Sequence, residues 1–97
     1  MHAVVNHLSF AEPVSSETIR LLREEGLPGI RDAGCLAGHV VQVGADHLIL
    51  VLLFPDAETM SEATSSAGSP WMRRRIVPLL AAPTQRSVGE VVATSGP

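Results

Sequence analysis

The longest apolar run in the chain, residues 47–54 (HLILVLLF), shows no alternation of apolar and polar side chains. It follows Gly44-Ala45-Asp46 and is closed by Pro55-Asp56, and it is much shorter than the roughly 20 residues that cross a membrane. A strand with one buried face alternates, whereas a strand buried on both faces is apolar throughout. The run therefore predicts a strand that is covered on both faces.

Three further segments, residues 2–10, 35–43 and 84–95, are rich in residues that favour strands. The turn at 44–46 is short enough to join the second and third strands in a hairpin, and Gly96-Pro97 is expected to fray. Successive side chains of a strand point to opposite faces, which divides the first strand into two sets. The two sets are Val4, Asn6 and Leu8 on one face, and Val5, His7 and Ser9 on the other.

The segment between the first two strands is predicted to be helical. Ser15 or Ser16 is a suitable N-cap, apolar residues at helical spacing follow, and the helix is expected to continue to about Glu25. Pro28 lacks an amide donor and crowds the preceding turn, so an irregular or second helical turn is expected to follow and to end at Gly34.

A second helix is predicted after the third strand. Asp56 is its expected N-cap, and Gly68-Ser69-Pro70 interrupts the helical pattern. Pro70 is expected to open a further helical segment, since proline is accepted in the first turn, and this segment ends within residues 78–83.

The predicted order is β-α-β-β-α-β, which is the ferredoxin-like α+β arrangement in a single domain of residues 1–97. In it, both helices cover one face of a four-stranded antiparallel sheet. The run at 47–54 and Val40-Val41 would leave a large apolar patch on the other face. We therefore predict a homodimer that packs sheet to sheet as an α+β barrel. Alternation divides the run into two faces, one with Leu48, Leu50, Leu52 and Phe54 and the other with Ile49, Val51 and Leu53. One of these faces is expected to meet the helices and the other to meet the partner.

Composition narrows the class of protein. Apolar residues make up 45% of the chain but aromatic ones only 3%, so the core is expected to be aliphatic. The formal charge of −3 and the lack of a basic face argue against a nucleic-acid partner. Cys35 is the single cysteine, which excludes an internal disulfide framework, and no signal pattern precedes the first strand. These features predict a soluble cytoplasmic protein without a membrane partner.

Five short stretches, within the predicted elements or next to them, carry a resemblance to a known family through their order and spacing. They are Val5-Asn6-His7-Leu8, residues 32–38 (DAGCLAG), residues 54–58 (FPDAE), Ser69-Pro70-Trp71 and Pro78-Leu79-Leu80. In these stretches the chain resembles, over nearly its whole length, the antibiotic-biosynthesis-monooxygenase-like domains of the dimeric α+β barrel superfamily. The resemblance implies a pocket between helices and sheet in each protomer. Members include cofactor-independent monooxygenases, haem-degrading enzymes and isomerases, so fold alone does not assign the function.

The resemblance points to Asn6 and Trp71 as catalytic residues. An Asn at the matching strand position shapes the haem-degrader site, and a buried amide must find a ligand, a water or a backbone partner. A Trp in the second helix lines the monooxygenase pocket, although the single Trp of this chain also suits a large core position. The axial His of a haem degrader would fall near residues 74–76, and no His occurs after His47, which disfavours haem degradation.

The remaining candidates are histidines and arginines expected at substrate-binding positions. His7 and His39 are expected on the inter-sheet side as a polar or proton-handling cluster, and no His-x-His spacing indicates a metal. The run at 73–75 is all Arg, with side chains about 100° apart on a helix. Either it is a solvated face, or Arg74 or Arg75 reaches a carboxylate or phenolate at the pocket mouth.

Three functions stay open on the sequence alone, and it does not decide whether the chain is an enzyme. The leading hypothesis is a monooxygenase-like protein that oxidises a small planar organic substrate without metal, flavin or other cofactor, the substrate supplying the electrons. The second is a non-catalytic module for small-ligand binding or assembly. The third is an isomerase or lyase that uses a strand His as its base.

Overall fold

A computed structural model of the chain describes residues 1–95, and its four strands form one antiparallel sheet in the order β2-β3-β1-β4. The strands are β1 (His2–Ser9), β2 (Ala37–Gly44), β3 (His47–Phe54) and β4 (Gln85–Glu90). The predicted ferredoxin-like α+β class is confirmed, with two helical arms on one face of this sheet. The expected fraying of Gly96 and Pro97 lies outside the described residues.

The first helical arm, residues 16–32, continues beyond the predicted break. It consists of α1 (Ser16–Leu21), a π-helical turn (Leu22–Gly26) and α2 (Leu27–Asp32). The Ser15 side chain accepts the Thr18 amide at 3.1 Å, as expected of an N-cap. Gly34 follows the arm with φ 122°, a left-handed conformation that favours glycine.

The second helical arm, residues 57–75, repeats this design. It consists of α3 (Ala57–Ala63), a second π-helical turn (Thr64–Gly68) and α4 (Ser69–Arg75), followed by a 3₁₀ turn (Val77–Leu79). Asp56 caps it as predicted, since one carboxylate oxygen accepts the Thr59 amide at 2.7 Å.

Each π-helical turn ends at a Gly-x-Pro sequence. The residue before the proline donates its amide five residues back, from Leu27 to Leu22 and from Ser69 to Thr64. The proline then falls in the first turn of the following α-helix, where an amide has no partner within that helix and is not needed. The wider turn therefore lets each arm continue through a residue that would otherwise break it.

The glycines of these turns receive side chains of the opposite arm. A methyl group at Gly26 would lie 2.9 Å from two ring carbons of Trp71. At Gly68 it would lie 3.2 Å from Cδ1 of Ile30. The two arms therefore approach closely at two reciprocal contacts, each made between a glycine and a large side chain.

Strand β3 shows the predicted division into two faces. Its first set of side chains is buried in the core with Val4 and Leu8 of β1, Leu22 of the first arm and Ile76, which follows the second arm. This set consists of Leu48, Leu50, Leu52 and Phe54. The alternate set, Ile49, Val51 and Leu53, is half-buried on the outer face. Burial of the first set against the arms is confirmed, and the packing of the outer face on a second copy stays a prediction. None of the helices within residues 1–95 has both the length and the apolarity needed to traverse a bilayer.

Candidate functional site

A cavity of about 560 Å³ lies between the two helical arms and the sheet. Its floor is formed by β1, β3 and β4, and both π-helical turns contribute to its walls. This volume lies within the range of about 300–1,000 Å³ that is typical of small-molecule sites. The lining is mainly aliphatic, with a small number of polar groups at defined positions.

Asn6 lies on the floor of this cavity, on β1, which is one of the two inner strands of the sheet. It is paired across the sheet with Leu50 on one side and Arg86 on the other. The side-chain oxygen Oδ1 is buried and, within residues 1–95, has no hydrogen-bond partner. A buried acceptor without a partner is destabilising, commonly by about 1–3 kcal/mol, so this oxygen is available to a ligand that donates a hydrogen bond.

Trp71 forms part of the wall, at the start of α4. Its ring lies against Gly26, where a side chain would collide with it. Its indole Nε1 donates to Glu25 Oε1 at 3.3 Å. The cavity therefore has one large aromatic surface, held by contacts with the first helical arm.

The charged lining of the cavity is mainly positive. Arg73, Arg74 and Arg86 line it together with Glu25, the single carboxylate among the lining residues that the structure describes. Arg75, the other predicted arginine, is absent from the lining and instead donates to Glu25 Oε2 at 3.3 Å. A cavity of this charge on a chain of net charge −3 favours an anionic ligand.

Arg86 and Glu25 are site residues that the sequence reasoning missed. Arg86 lies beside Asn6 on β4, and its Nη2 approaches the Thr64 hydroxyl at 3.5 Å. The sheet order places β4 next to β1. Because alternate residues of a strand share a face, Arg86 lies on the same face as the apolar Val88. That signal was present in the sequence. No comparable signal marked Glu25, because the π-helical turn alters which side chains share a face.

The predicted histidines lie away from the cavity. His7 and His39 are paired with Ile49 and Val51, which places both on the outer face of the sheet. His7 Nδ1 lies 3.3 Å from His47 Nε2, and His47 Nδ1 lies 3.4 Å from the Ser9 hydroxyl. The structure thus brings Asn6, Trp71 and Arg74 together and leaves the histidines on the opposite side.

Known structures establish the class of this fold. No model of a known protein family matches the chain, and no curated protein matches its sequence. A variant of SnoaB, a cofactor-independent oxygenase from Streptomyces nogalater, matches with a TM-score of 0.78 and 8% identity, over 96% of this chain and 94% of that one. The monooxygenase ActVA-Orf6 of Streptomyces coelicolor, in complex with nanaomycin D, matches with a TM-score of 0.74 and 12% identity, over 99% of this chain and 91% of that one.

A third structure holds a different ligand. It is a variant of MhuD with two manganese protoporphyrin IX molecules bound per active site, and it matches with a TM-score of 0.66 and 13% identity over 100% of both chains. Identities this low establish the fold. The chain has the fold of the antibiotic-biosynthesis-monooxygenase-like proteins, and the resemblance stated from the sequence is confirmed at that level.

Proposed function

We propose that this protein is a cofactor-independent monooxygenase that oxidises a small planar organic substrate in the cavity between its helical arms and its sheet. The observation that carries the proposal is the buried Oδ1 of Asn6, which lies on the floor of a largely apolar cavity and has no hydrogen-bond partner within residues 1–95. An acceptor in this position favours a ligand with a hydroxyl group, and the flat indole of Trp71 favours a ligand with a flat ring system.

Arginines of the lining support the same chemistry. A hydroxylated aromatic ketone such as an anthrone loses a proton to water and forms an enolate, whose negative charge is stabilised by nearby guanidinium groups. Arg86 lies beside Asn6, and Arg74 lines the cavity from the second arm. We propose that these groups hold the substrate as its anion and that Asn6 and Trp71 orient it.

The reaction balances without a further reductant. The enolate carbon transfers an electron pair to O₂ in one-electron steps and forms a C–O bond to it. Cleavage of the O–O bond then leaves one oxygen on the carbon as a carbonyl, and the other departs as water with both hydrogens of the original methylene. A methylene and one O₂ thus give one carbonyl and one water.

Oxygen uptake with a panel of anthrones tests this function. We expect uptake by the wild-type protein, and a decrease of at least about 10-fold in kcat/KM in an Asn6→Ala/Trp71→Ala double variant. His39→Ala changes an exposed side chain on the outer face and serves as the matched control. Uptake that the double variant leaves unchanged would eliminate the proposal.

A non-catalytic role in small-ligand binding is the second candidate. It is favoured by the absence of histidine from the lining within residues 1–95 and by the engagement of Glu25 with Trp71 and Arg75, which leaves no free carboxylate as a base. Quenching of Trp71 fluorescence by anthrones or anthraquinones, without oxygen uptake, would support this role. The position of His7 outside the cavity gives no support to acid–base isomerisation there.

We also propose that the protein is a homodimer formed through the outer face of its sheet. The half-buried side chains Ile49, Val51 and Leu53 form an apolar surface there, and Val41 beside them is 45% exposed. Two such surfaces packed about a two-fold axis would remove them from water. A cytoplasmic location is proposed with it, on the ground that the single cysteine, Cys35, is a free thiol.

A further inference from the structure

We propose that Glu25 is a positioning residue that holds the indole of Trp71 in the orientation the cavity presents to a planar ligand. This inference rests on the proposed function for its ligand, but the orientation of the indole itself is a property of the free protein. Glu25 lies at the end of the first π-helical turn, and Trp71 lies in the second helical arm.

One carboxylate joins the two arms. Glu25 Oε1 accepts the indole N–H of Trp71, and Oε2 accepts Nη2 of Arg75, both at 3.3 Å. Within residues 1–95, no other side-chain hydrogen bond links the first arm to the second. Both oxygens of the carboxylate are therefore engaged by side chains of the second arm.

The indole is restrained by two contacts of different kinds. Its ring carbons lie against Gly26, which limits movement toward the first arm. Its N–H is directed by Glu25, the residue next to that glycine. Without the carboxylate, the packing contact remains but rotation about the Cβ–Cγ bond loses its polar restraint, since such terminal torsions are broad.

The ion pair with Arg75 has a second effect. Glu25 is the single carboxylate among the described lining residues, and an unpaired charge there would repel the anion that Arg73 and Arg74 favour. The side chains of Glu25 and Arg75 are 42% and 44% exposed, so the pair contributes little to the stability of the fold. Changes at Glu25 therefore act on the indole and the ligand rather than on folding.

Three variants separate positioning from charge. Glu25→Ala removes both hydrogen bonds, whereas Glu25→Gln keeps a carbonyl oxygen for the indole N–H and removes the negative charge. Glu24→Ala is the matched control, because Glu24 is the neighbouring carboxylate and binds Arg20 on the surface of the same arm. Thermal melts confirm that each variant is folded.

The ligand-free protein gives the first measurement. Trp71 is the only tryptophan and the chain has no tyrosine, so fluorescence reports this indole alone. We expect Glu25→Ala to raise the acrylamide quenching constant about 2-fold and to lower the anisotropy, while Glu25→Gln and Glu24→Ala stay close to wild type. An unchanged indole signal in Glu25→Ala would overturn the proposal.

Binding of 1,8-dihydroxyanthraquinone gives the second measurement. We expect about 5-fold weaker binding in Glu25→Ala, as for the loss of one hydrogen bond, with rescue in Glu25→Gln. Equal weakening in Glu25→Gln would show that an acceptor for the indole N–H does not restore binding, and would overturn the positioning role. If the wild-type protein does not bind the probe, the proposed ligand class fails, and the ligand-free indole signal still decides the role of Glu25.

Discussion

Replacement of Gly26 by alanine tests the contact between the helical arms most directly. The added methyl group would lie 2.9 Å from two ring carbons of Trp71, whereas non-bonded carbons prefer about 3.5–4.0 Å. The indole ring is rigid and must shift by several tenths of an ångström. Gly29→Ala is the matched control, since a methyl group there has no neighbour within 4 Å.

Both substitutions gain helix propensity, but Gly26→Ala alone also overpacks the contact with Trp71. Alanine is favoured over glycine in a helix by about 0.8–1.0 kcal/mol, and both positions belong to the first arm. Overpacking against a well-packed ring costs about 1–3 kcal/mol. We therefore expect Gly29→Ala to raise the free energy of unfolding by about 0.5–1 kcal/mol, and Gly26→Ala to lower it by up to about 2 kcal/mol.

Urea unfolding followed by circular dichroism gives the two free energies, and Trp71 emission reports the displaced ring. Gly26→Ala is expected to change the emission of the folded protein and Gly29→Ala to preserve it. If Gly26→Ala were as stable as Gly29→Ala with unchanged emission, the close packing of the indole on the first arm would be refuted.

Three further predictions concern the core, the second helix cap and the outer face. Phe54→Ala removes a ring that is fully buried, and we expect urea unfolding to show a loss of about 3–5 kcal/mol; a loss under about 1 kcal/mol would contradict the assigned core. The Thr59 amide lowers the pKa of Asp56 below its usual 3.8, so its stabilisation is present above that pH and lost as pH falls through the lowered value. Asp56→Asn keeps an acceptor that does not titrate, and we expect its melting temperature to fall less than that of wild type between about pH 5 and pH 2; equal slopes would exclude this origin. Val51→Arg places a charge on the outer face and is expected to convert a sedimenting dimer into a monomer, whereas a wild-type monomer at micromolar concentration would exclude the dimer.

Much of the sheet was predictable because its signals are local. Strand β3 begins at His47 and ends at Phe54 as predicted, since a turn sequence and a Pro-Asp pair bound the apolar run. Strand β2 begins at Ala37 rather than Cys35, because Cys35 uses its amide to bond the Ile30 carbonyl at the end of the first arm. Cys35 is buried in the core although it lies outside the strand. A buried apolar residue next to a strand looks in the sequence like part of that strand.

The helical arms were harder to predict, and the site with them. Gly26 and Pro28 have low helix propensity and so predict a break. The observed arm instead continues through a π-helical turn, in which the amide bonds the carbonyl five residues earlier. That turn shifts the faces of the helix, which is why Glu25 reaches Trp71 without any sign in a 3.6-residue periodicity. Asn6 was predictable because a polar residue on an apolar strand face is conspicuous in the sequence and its strand is regular.

The reciprocal contacts of the two Gly-x-Pro turns imply a rule for covariation. Gly26 accommodates Trp71 from the other arm, and Gly68 accommodates Ile30 in return. The two members of each pair are energetically coupled, because a side chain at Gly26 would meet the rigid indole at 2.9 Å and one at Gly68 would meet the end of Ile30 at 3.2 Å. In divergent relatives that keep this crossing, a larger residue at the position of Gly26 should therefore accompany a smaller one at that of Trp71, and the shape of the cavity that both residues line would change with that pair.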